Sequence, residues 1–493
     1  NGYGQALIKI KPKSETASLK HIQKTFKEIF PLSSYAYTFK EKENFYIFCG
    51  NGNNGGGGFA LAKIMYHNGF DITVFLNENE NFSKDAASNL KKIKQISGID
   101  IFDFNDAATF NFKENAVIID AVFGTGLNRR TNKKEIDLIT FLNGVKLPKV
   151  SIDMPSGLLA DQMITDQTVI FKADETLSFQ FWKKTFLHPE TGIYCGKVHI
   201  LDISLSEEFI QDEITSDYVI DDLLIHRIYK TRSEFSHKGN FGKTTIIAGS
   251  FGRVGAAVLA VKAALKTGSG LTFVHAPKCG YEILQTSCPE AIYLYGGENH
   301  HDRFQIDHDT VVGIGPSLGI NTDTESAFMD FLKSCDQPMV LDADALNIIS
   351  RHSQFLARIP ENSIITPHPK EFERLFGITE NSFDRVELAR EKAAELGIYI
   401  VLKDHHTQII TPEKDVFYNI TGNSGMAKGG SGDALLGIIT SLLAQNYSSK
   451  DAAIFGVWLH GKAGDLAAEK FSKEAMLPTD LINELGMVFK SLA

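Results

Sequence analysis

Apolar residues in the first half of the chain fall in short continuous runs. Phe45–Cys49, Asp71–Leu76, Ala116–Val122 and Lys149–Met154 read as strands, and the aromatic and β-branched runs within Thr176–Leu201 fit later ones. A helical pattern covers Phe59–His67. Strands alternating with helices predict a parallel sheet covered on both faces. Ser204–Ser236 is polar, charged and poorly periodic, which marks a domain junction and gives domains of residues 1–215 and 216–493. The pattern then restarts. Strands are expected at Lys243–Gly249, Leu271–His275, Thr310–Ile314, Pro338–Leu341, Ser363–Ile365 and Tyr399–Lys403, with helices at Gly255–Thr267 and Ala434–Leu443.

Composition changes this picture little. The chain has 493 residues, 43% hydrophobic and 22% charged, ordinary values for a globular protein in which either half can bury a core. A net charge of −10 gives no basic footprint for nucleic acid or an anionic membrane. No apolar run approaches a membrane span, and residues 1–20 show no signal-peptide pattern. The five cysteines include no CxxC pair and are expected as free thiols in the cytoplasm.

Chemistry gathers at strand ends. Gly50-x-Gly52-x-x-Gly55 follows a strand and opens a helix, formally a dinucleotide fingerprint, with Glu78 near the end of the next strand. A dehydrogenase is therefore one reading. The full run Gly50–Gly58, with Asn51, Asn53 and Asn54, argues against it, because these amides offer oxygens to a cation and donors to a ligand. Asp120 leads into Phe123-Gly124-Thr125-Gly126, and Asp153 into Met154-Pro155-Ser156-Gly157. Ligands of open α/β sheets bind beyond such strand ends, so one pocket is expected from the three loops.

These blocks resemble the NAD(P)H-hydrate epimerase family, the YjeF N-terminal domain, over about residues 45–205. The resemblance implies a Rossmann-like three-layer fold. It implies that Asn54, Asp120 and Ser156 bind K⁺. Asn53, Asn54, Gly55, Gly56 and Gly57, then Gly124, Thr125, Gly126, Leu127, Asn128, Arg129 and Arg130, would line the hydrated dinucleotide. Asp153 would bind it and take part in catalysis. The family's usual Asp is replaced here by Gly57, and residues 1–44 lack the usual opening helices. Impaired epimerisation is the expectation, with a non-catalytic dinucleotide-binding module as the rival.

In the second half, Gly429-Gly430-Ser431-Gly432-Asp433 precedes an apolar helix. Its amides and the helix dipole suit a transferring phosphate. Asp433 reads from this loop alone as either an N-cap or a base. Gly242-Lys243-Thr244 is not a Walker A loop, since His237 stands where the first glycine should be. With Gly313-x-Gly315-Pro316-x-x-Gly319, Asp342-Ala343-Asp344-Ala345-Leu346-Asn347 and Thr366-Pro367-His368-Pro369, the loop resembles the ADP-dependent NAD(P)H-hydrate dehydratase family, over about residues 225–490.

That second resemblance implies a ribokinase-like α/β domain using ADP and Mg²⁺. Asp433 would be its base, with Ala257, Gly319, His368 and Asp433 contacting the hydrate. Lys403, Asp404, His405, His406 and Thr407, together with Gly429, Gly430, Ser431 and Gly432, would contact the nucleotide. Lys403-Asp404 departs from the usual Lys-Gly. A vitamin-precursor kinase of the same superfamily is the rival, and a homo-oligomer is expected.

Overall fold

A computed structural model of the chain describes residues 5–6, 44–77, 81–127, 129, 131–164, 168–206, 208, 210, 213–307 and 309–493. The chain divides into two compact units at Thr215–Ser216.

The first unit is built on seven parallel strands: β1 (Asn44–Cys49), β2 (Asp71–Leu76), β3 (Ile99–Asp103), β4 (Ala116–Ala121), β5 (Lys149–Ile152), β6 (Glu175–Phe179) and β7 (Lys197–Leu201). Their order is β3-β2-β1-β4-β5-β6-β7. The order reverses between β1 and β4, so the loops leaving those strands diverge and open a crevice. In β1, Phe45, Ile47 and Cys49 face one core, while Tyr46 and Phe48 face the other. That two-sided burial explains the unbroken apolar run. Helices α1 (Asn53–His67) and α2 (Lys84–Ile93) supply Phe59, Leu61, Leu90 and Ile93 to the first core. Helix α3 (Lys133–Gly144) supplies Leu138, Ile139 and Leu142 to the second, giving the three layers.

Helix α1 starts at Asn53, earlier than the periodicity suggests, and takes in the whole run Gly55–Gly58. Glycine is a poor helix former, so tertiary contact must override propensity here. A Cβ on Gly55 would lie 1.8 Å from Gly50 O, and one on Gly58 would lie 2.6 Å from Cys49 Sγ. The glycines let the helix lie directly on β1 and its exit loop.

The second unit contains β8 (Asp217–Ile220), β9 (Lys243–Ile247), β10 (Leu271–Ala276), β11 (Ile292–Tyr295), β12 (Val311–Ile314), β13 (Val340–Leu341), β14 (Ile364–Ile365), β15 (Tyr399–Leu402), β16 (Gln408–Ile410) and β17 (Val416–Asn419). Their order is β8-β17-β16-β15-β14-β13-β12-β9-β10-β11. Pairs β15–β16 and β16–β17 are antiparallel and the others parallel, so the sheet is mixed rather than purely parallel. The polar segment expected as a junction contributes β8 and the helix Asp222–Ile228. The buried Val219, Ile220, Leu224 and Ile225 are too few to show as a period in the sequence. Helices α4 (Val254–Thr267), α5 (Thr322–Ser334), α6 (Ala343–Arg351), α7 (Pro369–Phe376), α8 (Ser382–Leu396), α9 (Ser431–Ala444), α10 (Ser449–Phe471) and α11 (Pro478–Leu492) accompany it, with a short helix at Tyr281–Ser287. Residues of α4, α9, α10 and α11 join Ile246, Val274, Val340 and Ile364 in one core. The five cysteines are free, and among the described residues no helix is long and apolar enough to cross a membrane.

Candidate active sites

In the first unit the crevice beside β1 and β4 holds three loops. A Cβ on Gly50 would lie 2.1 Å from Val122 O, so this glycine lets the two strand exits touch. Asn54, in the first turn of α1, donates from Nδ2 to Phe123 O at 2.8 Å and Ile152 O at 3.1 Å, tying all three loops together. Asp120 is fully buried. Oδ1 accepts from Ser156 Oγ at 2.5 Å and Val122 N at 3.1 Å, and Oδ2 from Ser156 N at 2.8 Å and Ser151 Oγ at 3.1 Å. Burial outweighs these bonds and pushes its carboxyl up to about 6. Ser156 Oγ accepts from Phe123 N at 2.9 Å, so Asp120 and Ser156 frame the Phe123–Gly126 loop.

Asp153 follows β5 with φ of 68°, a region side chains rarely adopt. Its Oδ2 accepts from Thr125 N at 2.9 Å, and a Cβ on Gly124 would lie 2.6 Å from that oxygen. Its Oδ1 faces Lys183 Nζ at 3.7 Å. Lys183 had no motif to mark it; its only sequence signal is a lysine among aromatics in Phe179–Lys184. Gly124, Thr125, Asn54 and Asp153 thus come together. Gly57 points a would-be Cβ into open space, so an aspartate side chain would fit here. Arg129 pairs with Glu135 at 2.6 Å and lies over the Phe123 ring. Asn128, Arg130 and Glu78 lie outside the described residues.

In the second unit the parallel strands deliver Gly249, Gly315, Asp342, Thr366 and Lys403 to one edge of the sheet. A Cβ on Gly315 would lie 1.8 Å from Asp342 O, so only glycine lets β12 and β13 exit so close together. Lys403 Nζ lies 2.7 Å from Asp342 Oδ1 and 3.8 Å from Glu371 Oε2, with Asp342 only 2% exposed. The first turn of α9 sits over this cluster: a Cβ on Gly432 would be 3.4 Å from Asp342 Oδ2 and 3.6 Å from Lys403 Nζ. Gly430, at φ 100°, is the N-cap and offers no side chain. Asp433 is therefore in the first turn and is not the cap. Its half-buried carboxyl is pushed up to about 6 by burial and by Asp342, against the opposing pull of Lys403.

The loop before α9 is braced from behind. His460 Nε2 bonds Ser431 O at 3.0 Å, and burial holds this histidine neutral, down at about 4. Ser431 Oγ donates to Met426 O at 2.7 Å, and Asn423 Nδ2 to Asp465 Oδ1 at 2.9 Å. Ser431 N donates to Lys428 O at 3.3 Å and the first helical bond starts at Ala434 N, so the Gly432 and Asp433 amides have no helical acceptor of their own.

His368 caps α7. Its Nδ1 accepts from Lys370 N at 3.1 Å and Glu371 N at 3.3 Å, which leaves Nε2 for Glu371 or a ligand. Burial and Lys403 lower its proton affinity. Gly319 N donates to Asp344 Oδ2 at 2.9 Å, giving that second Asp of the Asp342–Asn347 block a structural task.

Two further groups of expected contacts are placed as follows. Ala257 is fully buried against Gly249, so its side chain has no surface to give a substrate. Within Lys403–Thr407 only Lys403 joins the ion cluster. Asp404 faces Arg385 at 3.7 Å, His406 Nδ1 bonds Asn419 O at 3.1 Å, and Thr407 O accepts from Asn419 N at 2.9 Å. His405 is exposed.

Residues 244–486 match the family model described as NAD(P)H-hydrate dehydratase, and residues 16–185 that of the YjeF-related protein N-terminus. The bifunctional NAD(P)H-hydrate repair enzyme Nnr of Coxiella burnetii is 32% identical over 451 residues, covering 91% of this chain and 90% of that protein. The protein of the same name from Escherichia coli is 32% identical over 460 residues, covering 91% and 86%. A ribokinase-like superfamily protein from Enterococcus faecalis superposes with a TM-score of 0.50 at 28% identity, over 57% of this chain and 98% of that one. With two matched domain models in the same order and relatives aligned along nearly the whole chain, this chain belongs to the family of bifunctional NAD(P)H-hydrate repair enzymes.

Proposed function

We propose that the second unit dehydrates the S form of NAD(P)H hydrate at the expense of ADP, and that the first unit interconverts the R and S forms. The observation that carries the first reading is Asp433. Its half-buried carboxyl has a raised pKa and stands in the first turn of α9 beside the Lys403–Asp342 pair. A carboxylate poised near 6 is ionised at neutral pH yet basic enough to accept a proton.

Asp433 takes the proton of the ring hydroxyl as that oxygen attacks the terminal phosphoryl of ADP. The amides at Gly429–Gly432 receive the phosphoryl charge, and Lys403 adds a cation at its side. The phosphorylated oxygen then leaves as phosphate, a far better leaving group than hydroxide, while the neighbouring ring carbon gives up a proton to solvent to restore the double bond, and NAD(P)H and AMP are released. His368 Nε2 and Gly319 are the proposed substrate contacts. Among the described residues no cluster of three His, Cys, Asp or Glu side chains could hold a metal. Mg²⁺ would therefore enter mainly on the nucleotide phosphates, where it neutralises charge. The test supplies S hydrate with ADP: NAD(P)H, AMP and phosphate in equal amounts support the reading, whereas a stable phosphorylated product supports the vitamin-precursor kinase.

In the first unit, Asn53–Gly57, Gly124–Leu127 and Asp153 are the proposed hydrate contacts. The oxygens of Asn54, Asp120 and Ser156 are chemically suited to K⁺. Four internal donors already bond Asp120, so its part would be charge balance, with direct oxygens from Asn54 and Ser156. K⁺ would there screen the buried carboxylate. Exchanging K⁺ for Li⁺ is expected to lower the thermal midpoint of this unit, and an unchanged midpoint would remove K⁺ from the proposal. A cytoplasmic, homo-oligomeric enzyme completes the reading.

A further inference from the structure

We infer that Lys183 is a positioning residue for epimerisation, acting through Asp153. The inference rests on the proposed epimerase reading and adds a residue that no family motif quoted above contains.

Lys183 is 7% exposed, and its ammonium lies inside the unit rather than at the surface. A buried lysine is costly unless its protons are accepted. Here Nζ donates to Phe179 O at 2.7 Å and Phe181 O at 2.9 Å, both in the segment leaving β6, and its remaining direction faces Asp153 Oδ1 at 3.7 Å. The two carbonyls fix the amine, and the amine in turn offers Asp153 a fixed cation. Burial lowers the lysine's own proton affinity, and Asp153 opposes that effect.

Asp153 is equally constrained. Its backbone is held at φ 68° by the bond from its N–H to Leu177 O at 2.7 Å. Its two carboxylate oxygens are divided between separate tasks. Oδ2 holds the Thr125 amide, on the loop proposed to line the hydrate, while Oδ1 turns to Lys183. Strain of this kind persists only where the surroundings over-determine it, and it clusters at functional sites. A plain packing lysine would not need an acidic partner in a disfavoured conformation. Asp120 is bonded by four internal donors, whereas Asp153 turns a carboxylate oxygen to the Gly124–Gly126 loop, so the aim of Asp153 matters to any proton moved there.

The experiment follows conversion of R to S hydrate without ADP in the full-length protein. Lys183→Met keeps the apolar stem and removes the charge. We expect kcat to fall about 10²-fold, of the order seen when a group that orients catalytic charge is lost, with KM within about threefold. In Lys183→Ala, methylammonium should restore activity at least about tenfold and saturably, whereas tetramethylammonium, which has no N–H, should not. The double variant Asp153→Asn with Lys183→Met removes both charges, and so guards against misfolding from an unpaired carboxylate. Its loss should equal that of Asp153→Asn alone. Losses that multiply, a change confined to KM, or equal response to both amines would overturn the inference. If wild-type protein itself fails to exceed the spontaneous rate, the epimerase reading fails and this role falls with it. Wild-type activity with unaffected Lys183 variants defeats the inference alone.

Discussion

At the scale of single residues, the dehydratase site turns on a carboxylate whose proton affinity is set by burial and by two neighbours, Asp342 and Lys403. Since Asp433 titrates at about 6, the rate of dehydration is expected to rise through that pH and level off above it. Lys403→Met removes the one influence that lowers this value and leaves Asp342 unopposed. Its pH–rate limb should move up, and the fold should lose about 3 kcal/mol, as expected for breaking a buried pair. A flat profile near pH 6 in the wild type would contradict the assignment. The same shift carries a stability consequence. The folded pKa lies above the unfolded value of 3.8, so the ionised carboxylate disfavours folding, increasingly from about pH 4 and fully above about 6. Asp433→Asn should therefore melt higher than wild type at pH 7–8 and no higher below pH 4. In the first unit, Gly57→Asp has open space for its side chain and should raise the epimerisation rate. Asp433, Asp153, Asp120 and the glycines could be picked out in the sequence because each ends a strand or opens a helix. The Lys403–Asp342 pair spans 61 positions, and Lys183 meets Asp153 from another strand exit; neither contact has a local signature.

At the scale of elements, glycine decides where helices begin. Gly430 adopts φ 100° at the start of α9, and a Cβ there would lie 2.6 Å from Leu259 Cδ1. Gly430→Ala should cost about 1–2 kcal/mol from the left-handed conformation alone and weaken nucleotide binding, both readable by thermal shift with and without ADP. An unchanged melting temperature and affinity would mean that this turn is not held as described. Most strands and the crevice were readable from apolar runs and strand-end loops, but not Ile99–Asp103, which aspartates punctuate, or the largely exposed Ile292–Tyr295. The start of α1 was not, because a run of four glycines suggests a loop until packing against β1 is known. Nor was the antiparallel β16–β17 hairpin, whose strands begin at Gln408 and end at Asn419 and leave apolar runs too short to read as strands.

At the scale of the whole molecule, two compact units carry two chemistries on one damaged cofactor. The division at Thr215–Ser216 falls within the polar segment Ser204–Ser236, which also builds the strand Asp217–Ile220 and the helix Asp222–Ile228. A fragment starting at Ser216 keeps every residue proposed for dehydration. It should use S hydrate at near the full-length rate while failing on R hydrate beyond spontaneous epimerisation. Loss of S-hydrate turnover in a folded fragment would mean that the units depend on each other. The central claim is that Asp433 is the base of an ADP-driven dehydration. Its most direct test measures turnover of S hydrate and ADP affinity in Asp433→Asn. A fall in kcat of about 10²–10⁴-fold is expected, with ADP affinity within a few-fold of wild type. Turnover near the wild-type rate would contradict it.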